Sequence, residues 1–316
     1  MFELGNAYKN QLIDNYAENK YYTTDDKIDI KDKNNTKSII LRHVDEKSVC
    51  LDVGCGVGYL GGLLHKHKKV KVYGVDIDAK ALSYAKKSGD FVDLYHFSIT
   101  ERKGEDYKRF IDGKMKFDYI IFADVLEHVT DPEDLLMFFV DFLKPEGKIL
   151  ISLPNVAHFD IVKGLIDGKF NYNHIGILDN THYRFYTKNS FKEFLQQVND
   201  VRGTKFAIKE IGKTVVEPDY IKKYPNFYEL LNRDGEACVL QYVYEISIDK
   251  KKKGITIKEK KSVFDEMEEA LAQAKREKEK VAELEEAIRA LRSSTSWKIT
   301  KPIRKVSGVI KGTKEA

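Results

Sequence analysis

The chain has 316 residues, 42% of them hydrophobic and 33% charged, enough apolar material for a substantial core with charge left over for solvated helix or tail. Cys50, Cys55 and Cys238 are too few and too scattered for a disulfide framework or a zinc ribbon, and they point to a reducing, cytoplasmic setting. No stretch approaches the ~18 apolar residues of a membrane span, and residues 1–9 lack the pattern of a secretory signal. The net charge of +4 is unevenly placed, basic from Lys250 onward and mildly acidic before it, so nucleic acid is not an expected partner of the body.

Residues 1–36 are polar, rich in Asn, Asp, Lys and Tyr, and read as a leader or substrate lid. Ile39, Ile40, Leu41 and Val44 then predict a short amphipathic helix. Apolar runs at 48–53, 70–75, 119–122 and 148–153 alternate with helical patterns at 60–66, 79–87 and 135–143. Short, nearly continuous apolar runs separated by helices are what a parallel sheet covered on both faces demands. Pro145-Glu146-Gly147 is expected to stop one helix and start the next strand. A helix at 191–198 precedes two strands, 205–214 and 237–248, expected to close one sheet edge as an antiparallel pair. The expected fold is a doubly wound α/β domain over 37–249, followed by a charged linker at 250–262. Phe264, Met267, Leu271, Ala274, Val281, Leu284, Ile288 and Leu291 make a heptad-like stripe that predicts a coiled coil over 263–292. Its phase shifts by one residue between Val281 and Leu284, and Lys278 interrupts it. Residues 293–316 form a basic, amphipathic tail.

The strongest local signal is Asp52-Val53-Gly54-Cys55-Gly56-Val57-Gly58. An apolar strand runs into a glycine-rich turn, and a helix follows, so backbone can approach a ligand and unpaired N–H groups face it. About twenty residues on, a second strand ends in Gly74-Val75-Asp76, an acid placed to accept from two ribose hydroxyls. A nicotinamide dinucleotide site would have its third glycine at position 59, where this chain has Tyr59.

With these motifs the sequence resembles class I S-adenosylmethionine (SAM)-dependent methyltransferases. The segments Phe117-Asp118-Tyr119-Ile120-Ile121-Phe122-Ala123-Asp124-Val125-Leu126-Glu127-His128 and Leu143-Lys144-Pro145-Glu146-Gly147 match in the family's order. The resemblance implies a Rossmann-like, mostly parallel seven-stranded sheet with SAM as cofactor. It implies that Asp52, Gly54, Gly56 and Gly58 contact the methionine moiety, that Asp76 and Ile77 hold ribose and adenine, and that Cys55 and Ala123 also belong to the cofactor site. Where many relatives carry an Asp after the third strand, this chain has Ser98 followed by Ile99, so adenine recognition there is expected to differ.

Methyl transfer to a hydroxyl requires alignment and removal of a proton. Asp124, Glu127 and His128 have the spacing i, i+3, i+4, which on a helix puts all three on one face. Two carboxylates with one or two histidines suit a divalent ion, Mg²⁺ or Mn²⁺. The pattern resembles ubiquinone-pathway O-methyltransferases and metal-dependent 2′-O-methyltransferases of small RNA, which implies Asp124, Glu127, His128 and His182 as ligands and His128, Glu127 and His182 as catalytic residues. Asp124 stands where those relatives usually have Glu. Metal binding, a metal-free general base at His128, and a structural role for Glu127-His128 stay open on sequence alone. His158 reads as packing or substrate pocket, and His182 with Arg184 suits an acidic substrate equally well. Phe170, Tyr172, Tyr183, Phe185 and Tyr186 either stack on a ring or fill core.

Residues 294–304, Ser-Thr-Ser-Trp-Lys-Ile-Thr-Lys-Pro-Ile-Arg, resemble the tail after coiled coils in bacterial glycosyltransferases and methyltransferases that build surface polysaccharides. That implies O-methylation of a sugar hydroxyl on a cell-surface or lipid-linked glycan. The partners implied are a glycosyltransferase or a second copy through the coiled coil. Trp297, Ile303, Val306 and Ile310 among Lys and Arg also suit peripheral contact with the inner membrane face. The alternatives are a small-molecule O- or N-methyltransferase with an oligomerising tail, and a non-catalytic SAM-binding scaffold.

Overall fold

A computed structural model describes residues 28–248 and 263–293, which fall into two units divided near residue 257. The first holds seven strands: β1 (Val49–Val53), β2 (Lys71–Asp76), β3 (Phe91–His96), β4 (Phe117–Ala123), β5 (Leu143–Pro154), β6 (Phe206–Val215) and β7 (Val239–Ile248). They form one sheet in the order β3-β2-β1-β4-β5-β7-β6. Strands β1 to β5 pair in parallel, and β7 lies antiparallel between β5 and β6. The helices are α1 (Thr36–His43), α2 (Tyr59–Lys68), α3 (Ala79–Ser88), α4 (Glu105–Asp112), α5 (Pro132–Val140), α6 (Phe159–Ile166), α7 (Lys188–Arg202) and α8 (Pro225–Leu231). The second unit is α9 (Val263–Ser293).

Strand periodicity sorts the core into two layers. Cys50, Tyr119, Ile121, Leu150 and Val243 face α1 and α2, where Ile39, Ile40, Leu60 and Leu64 cover them. The alternate residues Leu51, Ile120, Phe122, Ile149, Ile151 and Tyr244 face Phe110, Leu135, Leu136, Phe139, Phe191 and Leu195 of α4, α5 and α7. Strand order reverses at β1, which has β2 on one side and β4 on the other. In open α/β sheets the crevice at the strands' carboxyl ends beside such a reversal is where ligands bind.

Three glycines make room for one ring. A β-carbon on Gly58 would come within 2.6 Å of the Phe91 ring, one on Gly61 within 2.2 Å, and one on Gly74 within 3.0 Å. The first turn of α2 and the middle of β2 therefore close directly over Phe91, which fixes the height of the glycine turn above the sheet.

The structure departs from the sequence expectations in particular places. The 145–147 segment is not a turn between elements but part of β5, which begins at Leu143 and pairs with Phe117 before a register shift. Gly147 is needed there because a β-carbon would meet Phe117 O at 2.8 Å. Helix α5 accordingly ends at Val140 instead of 143. Strand β3 and helices α4, α6 and α8 were not singled out from the apolar pattern, and β3, an edge strand, has mostly half-exposed side chains. The end of the polar leader is anchored: Asn34 Nδ2 donates to Val215 O at 2.9 Å, and Arg42 donates to the carbonyls of Ile30 and Asp32. Residues 1–27, 249–262 and 294–316, which include most of the leader, the linker and nearly all of the tail, lie outside the described residues. Among the described residues no helix is long and apolar enough to cross a membrane. The expected coiled-coil segment forms one helix, and Phe264, Met267, Leu271, Val281, Leu284 and Ile288 are exposed along it.

Gly61→Ala should lower stability by about 2 kcal/mol through overpacking against Phe91. Adding Phe91→Leu should recover part of that loss in thermal melts. An unchanged melting temperature for Gly61→Ala would contradict the packing described.

Candidate active site

The turn after β1 is built on left-handed backbone. Gly54, Gly56 and Gly58 have φ of 72°, 52° and 85°, a region where a β-carbon is strained. Gly54 N and Cys55 N both donate to Val75 O, at 2.8 and 3.1 Å, so the turn hangs from the end of β2. Gly56 N donates to Asp76 Oδ2 at 2.7 Å, and Asp78 N donates to Asp76 Oδ1 at 2.8 Å. The loop and the acid thus share one cleft and touch. The space beside Gly56 is open, with nothing within 4 Å of a β-carbon placed there.

Asp52 lies under this turn, 2% exposed. It accepts from Gly61 N in the first turn of α2, whose N-cap, Gly58, has no side chain to do so. Burial, then the neighbouring Asp76 carboxylate, push its pKa up to about 7, against the pull of Gly61 N–H and Lys37. Its Oδ2 has no hydrogen-bond partner. Two acids under an open, glycine-lined turn suit a cationic ligand, and SAM carries both a sulfonium and an ammonium. The residues present fit that cofactor.

Ile77, 67% exposed, offers an apolar face directly after Asp76. His96, at the end of β3, reaches across with Nε2 to Ile77 O at 3.0 Å. Phe97 N donates to Asp76 O at 3.2 Å, which brings the segment leading to Ser98 and Ile99 beside the end of β2. Ser98 Oγ is engaged with Thr100 Oγ1 and Glu101 N, so it works first as a turn former. The contact of His96 with Ile77 joins the ends of two different strands and leaves no trace in local spacing.

Beyond β4 the chain does not make the expected helix. Asp124 has φ of 58°, and only Leu126–His128 form a single 3₁₀ turn. Asp124, Glu127 and His128 therefore do not share a helical face. Asp124 is exposed, and its Oδ1 is taken by Ser152 Oγ at 2.6 Å and Gln241 Nε2 at 2.9 Å. Ala123, half-buried, precedes it opposite Ser152. A β-carbon on Gly54 would meet Val125 Cγ2 at 2.9 Å, so this turn lies against the cofactor loop.

Three of the four expected ligands converge. Glu127, His128 and His182 offer ligand atoms within 4.8 Å of one another, and Asp124 does not belong to that group. The segment bearing His182 is held by Tyr183 N and Arg184 N, which both donate to Glu127 O, at 2.8 and 3.0 Å. His182 Nδ1 lies 3.0 Å from Ile177 O, and His128 Nδ1 lies 3.1 Å from Thr181 O. A carbonyl only accepts, so each Nδ1 carries the proton and each Nε2 keeps its lone pair. Thr181 Oγ1, 3.1 Å from His128 Nδ1, donates a hydrogen bond to Asp179 Oδ1 at 2.7 Å. Asp179 is 5% exposed and fixes this relay. Asp179 carries no mark in the sequence because its link to His128 runs through Thr181 and joins segments far apart in the chain.

Burial lowers the His182 pKa, and the adjacent His128 lowers it further against the pull of Ile177 O. Burial, with Asp124 and Asp179 nearby, raises the Glu127 pKa well above the usual carboxyl range. Glu127 is 1% exposed and neither of its carboxyl oxygens has a hydrogen-bond partner. Two bare imidazole nitrogens and an orphaned carboxyl are a donor set that fits a divalent metal, with carbonyls orienting both rings from behind.

His158 is no part of this group. It is buried, accepts from Asp160 N at the start of α6, and contacts Val216 O through Nε2 at 2.9 Å. Arg184 donates to Thr130 O. Tyr186 is core, 7% exposed, whereas Phe170, Tyr172 and Tyr183 are 39%, 55% and 68% exposed.

A family model described as a methyltransferase domain matches residues 31–199. The ubiquinone biosynthesis O-methyltransferase of Pasteurella multocida is 34% identical over 119 residues, covering 33% of this chain and 46% of that protein. The ubiquinone biosynthesis O-methyltransferase of Rickettsia conorii is 29% identical over 175 residues, covering 53% and 54%. The chain spans about half the length of these curated relatives. Among solved structures, the plantazolicin methyltransferase BpumL in complex with SAH is similar at 18% identity and a TM-score of 0.44, covering 68% of this chain and 81% of that one. With more than half of its length matched by the family model, the chain belongs to the methyltransferase-domain family, and its first unit is a class I SAM-dependent methyltransferase domain.

Proposed function

We propose that this protein transfers the methyl group of SAM to a hydroxyl oxygen of its acceptor. The observation that supports this reading most is the convergence of Glu127, His128 and His182 at the turn whose Val125 packs against Gly54, with each Nδ1 held by a carbonyl so that each Nε2 keeps its lone pair. In such a transfer the sulfonium supplies the methyl group, the acceptor oxygen takes it in line, and the hydroxyl proton must leave. Gly54, Gly56 and Asp76 hold the donor, and Val125 sets the distance between the donor loop and the turn bearing Glu127 and His128. His128 Nε2, its tautomer fixed by Thr181 and Asp179, takes the proton. His182, kept neutral by burial, is the second acceptor within reach.

Glu127, His128 and His182 would also hold a divalent metal, which would supply Lewis acidity that lowers the acceptor hydroxyl's pKa. With Asp124 turned toward Ser152 and Gln241, the donor set is richer in nitrogen than expected from sequence, which favours Mn²⁺ over Mg²⁺.

A sugar hydroxyl of a cell-surface glycan is the acceptor we favour, on the resemblance of residues 294–304, which lie outside the described residues. A ring hydroxyl in a ubiquinone-type pathway is the second reading, favoured by the names of the relatives. In either case we read the exposed stripe of α9 as a seam for a second copy or a glycosyltransferase, and the tail as a contact with the inner membrane face. A non-catalytic scaffold would have no use for two histidines with fixed tautomers.

Asp52 gives a test of donor binding. A cationic donor should drive the Asp52 proton off, so binding of SAM between pH 6 and 7 should release up to about one proton. Calorimetry in buffers of different ionisation enthalpy measures this, and Asp52→Asn should abolish the release. A binding enthalpy independent of buffer would contradict the role given to Asp52.

Removing metal with a chelator should cut turnover at least tenfold and leave SAH affinity unchanged. Thr181→Val should weaken Mn²⁺ binding by about tenfold or more, as loss of a ligand-orienting partner does. Full turnover in chelator would rule the metal out and leave His128 as base alone.

A further inference from the structure

We propose that Phe170, Tyr172 and Phe185 form the ring-binding subsite for the acceptor, a hydroxyl-bearing six-membered ring with an apolar face. The proposal rests on reading the Glu127–His128–His182 group as the site of methyl transfer.

Many aromatic rings in this domain are buried, among them Tyr186 at 7% exposed and Phe191 at 0%. Phe170 and Tyr172 are 39% and 55% exposed, and they are not scattered. The Phe170 ring lies edge-on to Tyr172 at 5.6 Å and to Phe185 at 5.7 Å, and Tyr172 lies 6.3 Å from Phe185. Edge-to-face packing of this kind holds the three rings as a unit, and the exposed parts of Phe170 and Tyr172 are where the C–H groups of a pyranose or the face of an aromatic ring can settle.

Continuity says what covers these rings. Phe185 lies 6.3 Å from the His182 ring, and His182 lies 4.7 Å edge-on to His128. An unbroken run of ring contacts thus leads from the exposed rings of Phe170 and Tyr172 to the two histidines. A ring seated on Tyr172 and Phe170 would direct a substituent oxygen toward the histidines.

The loop that presents the rings is tied. Asn173 N donates to Leu178 O and Asn180 N to Asn173 O, both at 2.8 Å, and the following residues are pinned to Glu127 O by Tyr183 N and Arg184 N. The platform and the histidines are therefore one braced element, and ordering it costs the acceptor little.

The test uses the full chain saturated with SAH and two separate probes, catechol and methyl β-D-glucopyranoside, followed by saturation-transfer NMR. Ring protons of at least one probe should receive saturation. The Phe170→Ala/Tyr172→Ala double variant should bind that probe about tenfold more weakly while SAH affinity holds. Leu165→Ala, at an exposed position outside the ring cluster, should change neither. A response from catechol alone assigns an aromatic acceptor, and one from the glucoside alone assigns a sugar. Probe affinity unchanged in the double variant, or no transfer to either probe, would overturn the subsite. Failure of the wild-type chain to bind SAH would instead strike the methyltransferase reading itself.

Discussion

The hydrogen bond from Gly56 N to Asp76 Oδ2 at 2.7 Å is the constraint on which the rest of the site depends. It joins the turn after β1 to the end of β2 at the point where the strand order reverses. Gly54 N and Cys55 N reinforce it through Val75 O, and the socket around Phe91 sets the height of the helix that follows. From that fixed turn, Val125 packed against Gly54 carries the geometry across to β4. The turn bearing Glu127 and His128 inherits its position from there.

Electrostatics then divides the acids by surroundings. Asp76 is half-buried and hydrogen-bonded by two backbone N–H groups, which satisfy it as a carboxylate. Asp52 is buried beside it and shares the region's negative field, so part of its charge is held back until a cation arrives. Glu127 is the extreme case, buried with no hydrogen-bond partner for either oxygen, and such a group in a folded protein calls for an explanation. His128 and His182 offer ligand atoms beside it, and on the proposed reading an ion held by all three would let Glu127 ionise.

Much of this was legible in the sequence because it is local. The glycine turn, Asp76 and the apolar runs of β1, β2 and β4 are written in consecutive residues and follow from strand and turn chemistry. Other features depend on distant partners. Asp124 looked like part of a helical triad, but Ser152 and Gln241 hold its carboxylate, and the left-handed backbone there breaks the spacing. Pro145-Glu146-Gly147 has the composition of a turn, yet β5 already begins at Leu143, opposite Phe117, and carries the segment within the strand as a register shift. The Asp179–Thr181–His128 relay joins residues from two loops and leaves no periodic trace. Strand β3 was faint because an edge strand with half-exposed side chains lacks the continuous apolar run of a central one.

Titration calorimetry of SAH into the full chain tests the central constraint most directly. Asp76→Ala removes the acceptor for Gly56 N and Asp78 N together, and affinity should fall about a hundredfold while circular dichroism stays unchanged. Wild-type affinity in a folded Asp76→Ala chain would contradict a cofactor cleft organised around that carboxylate.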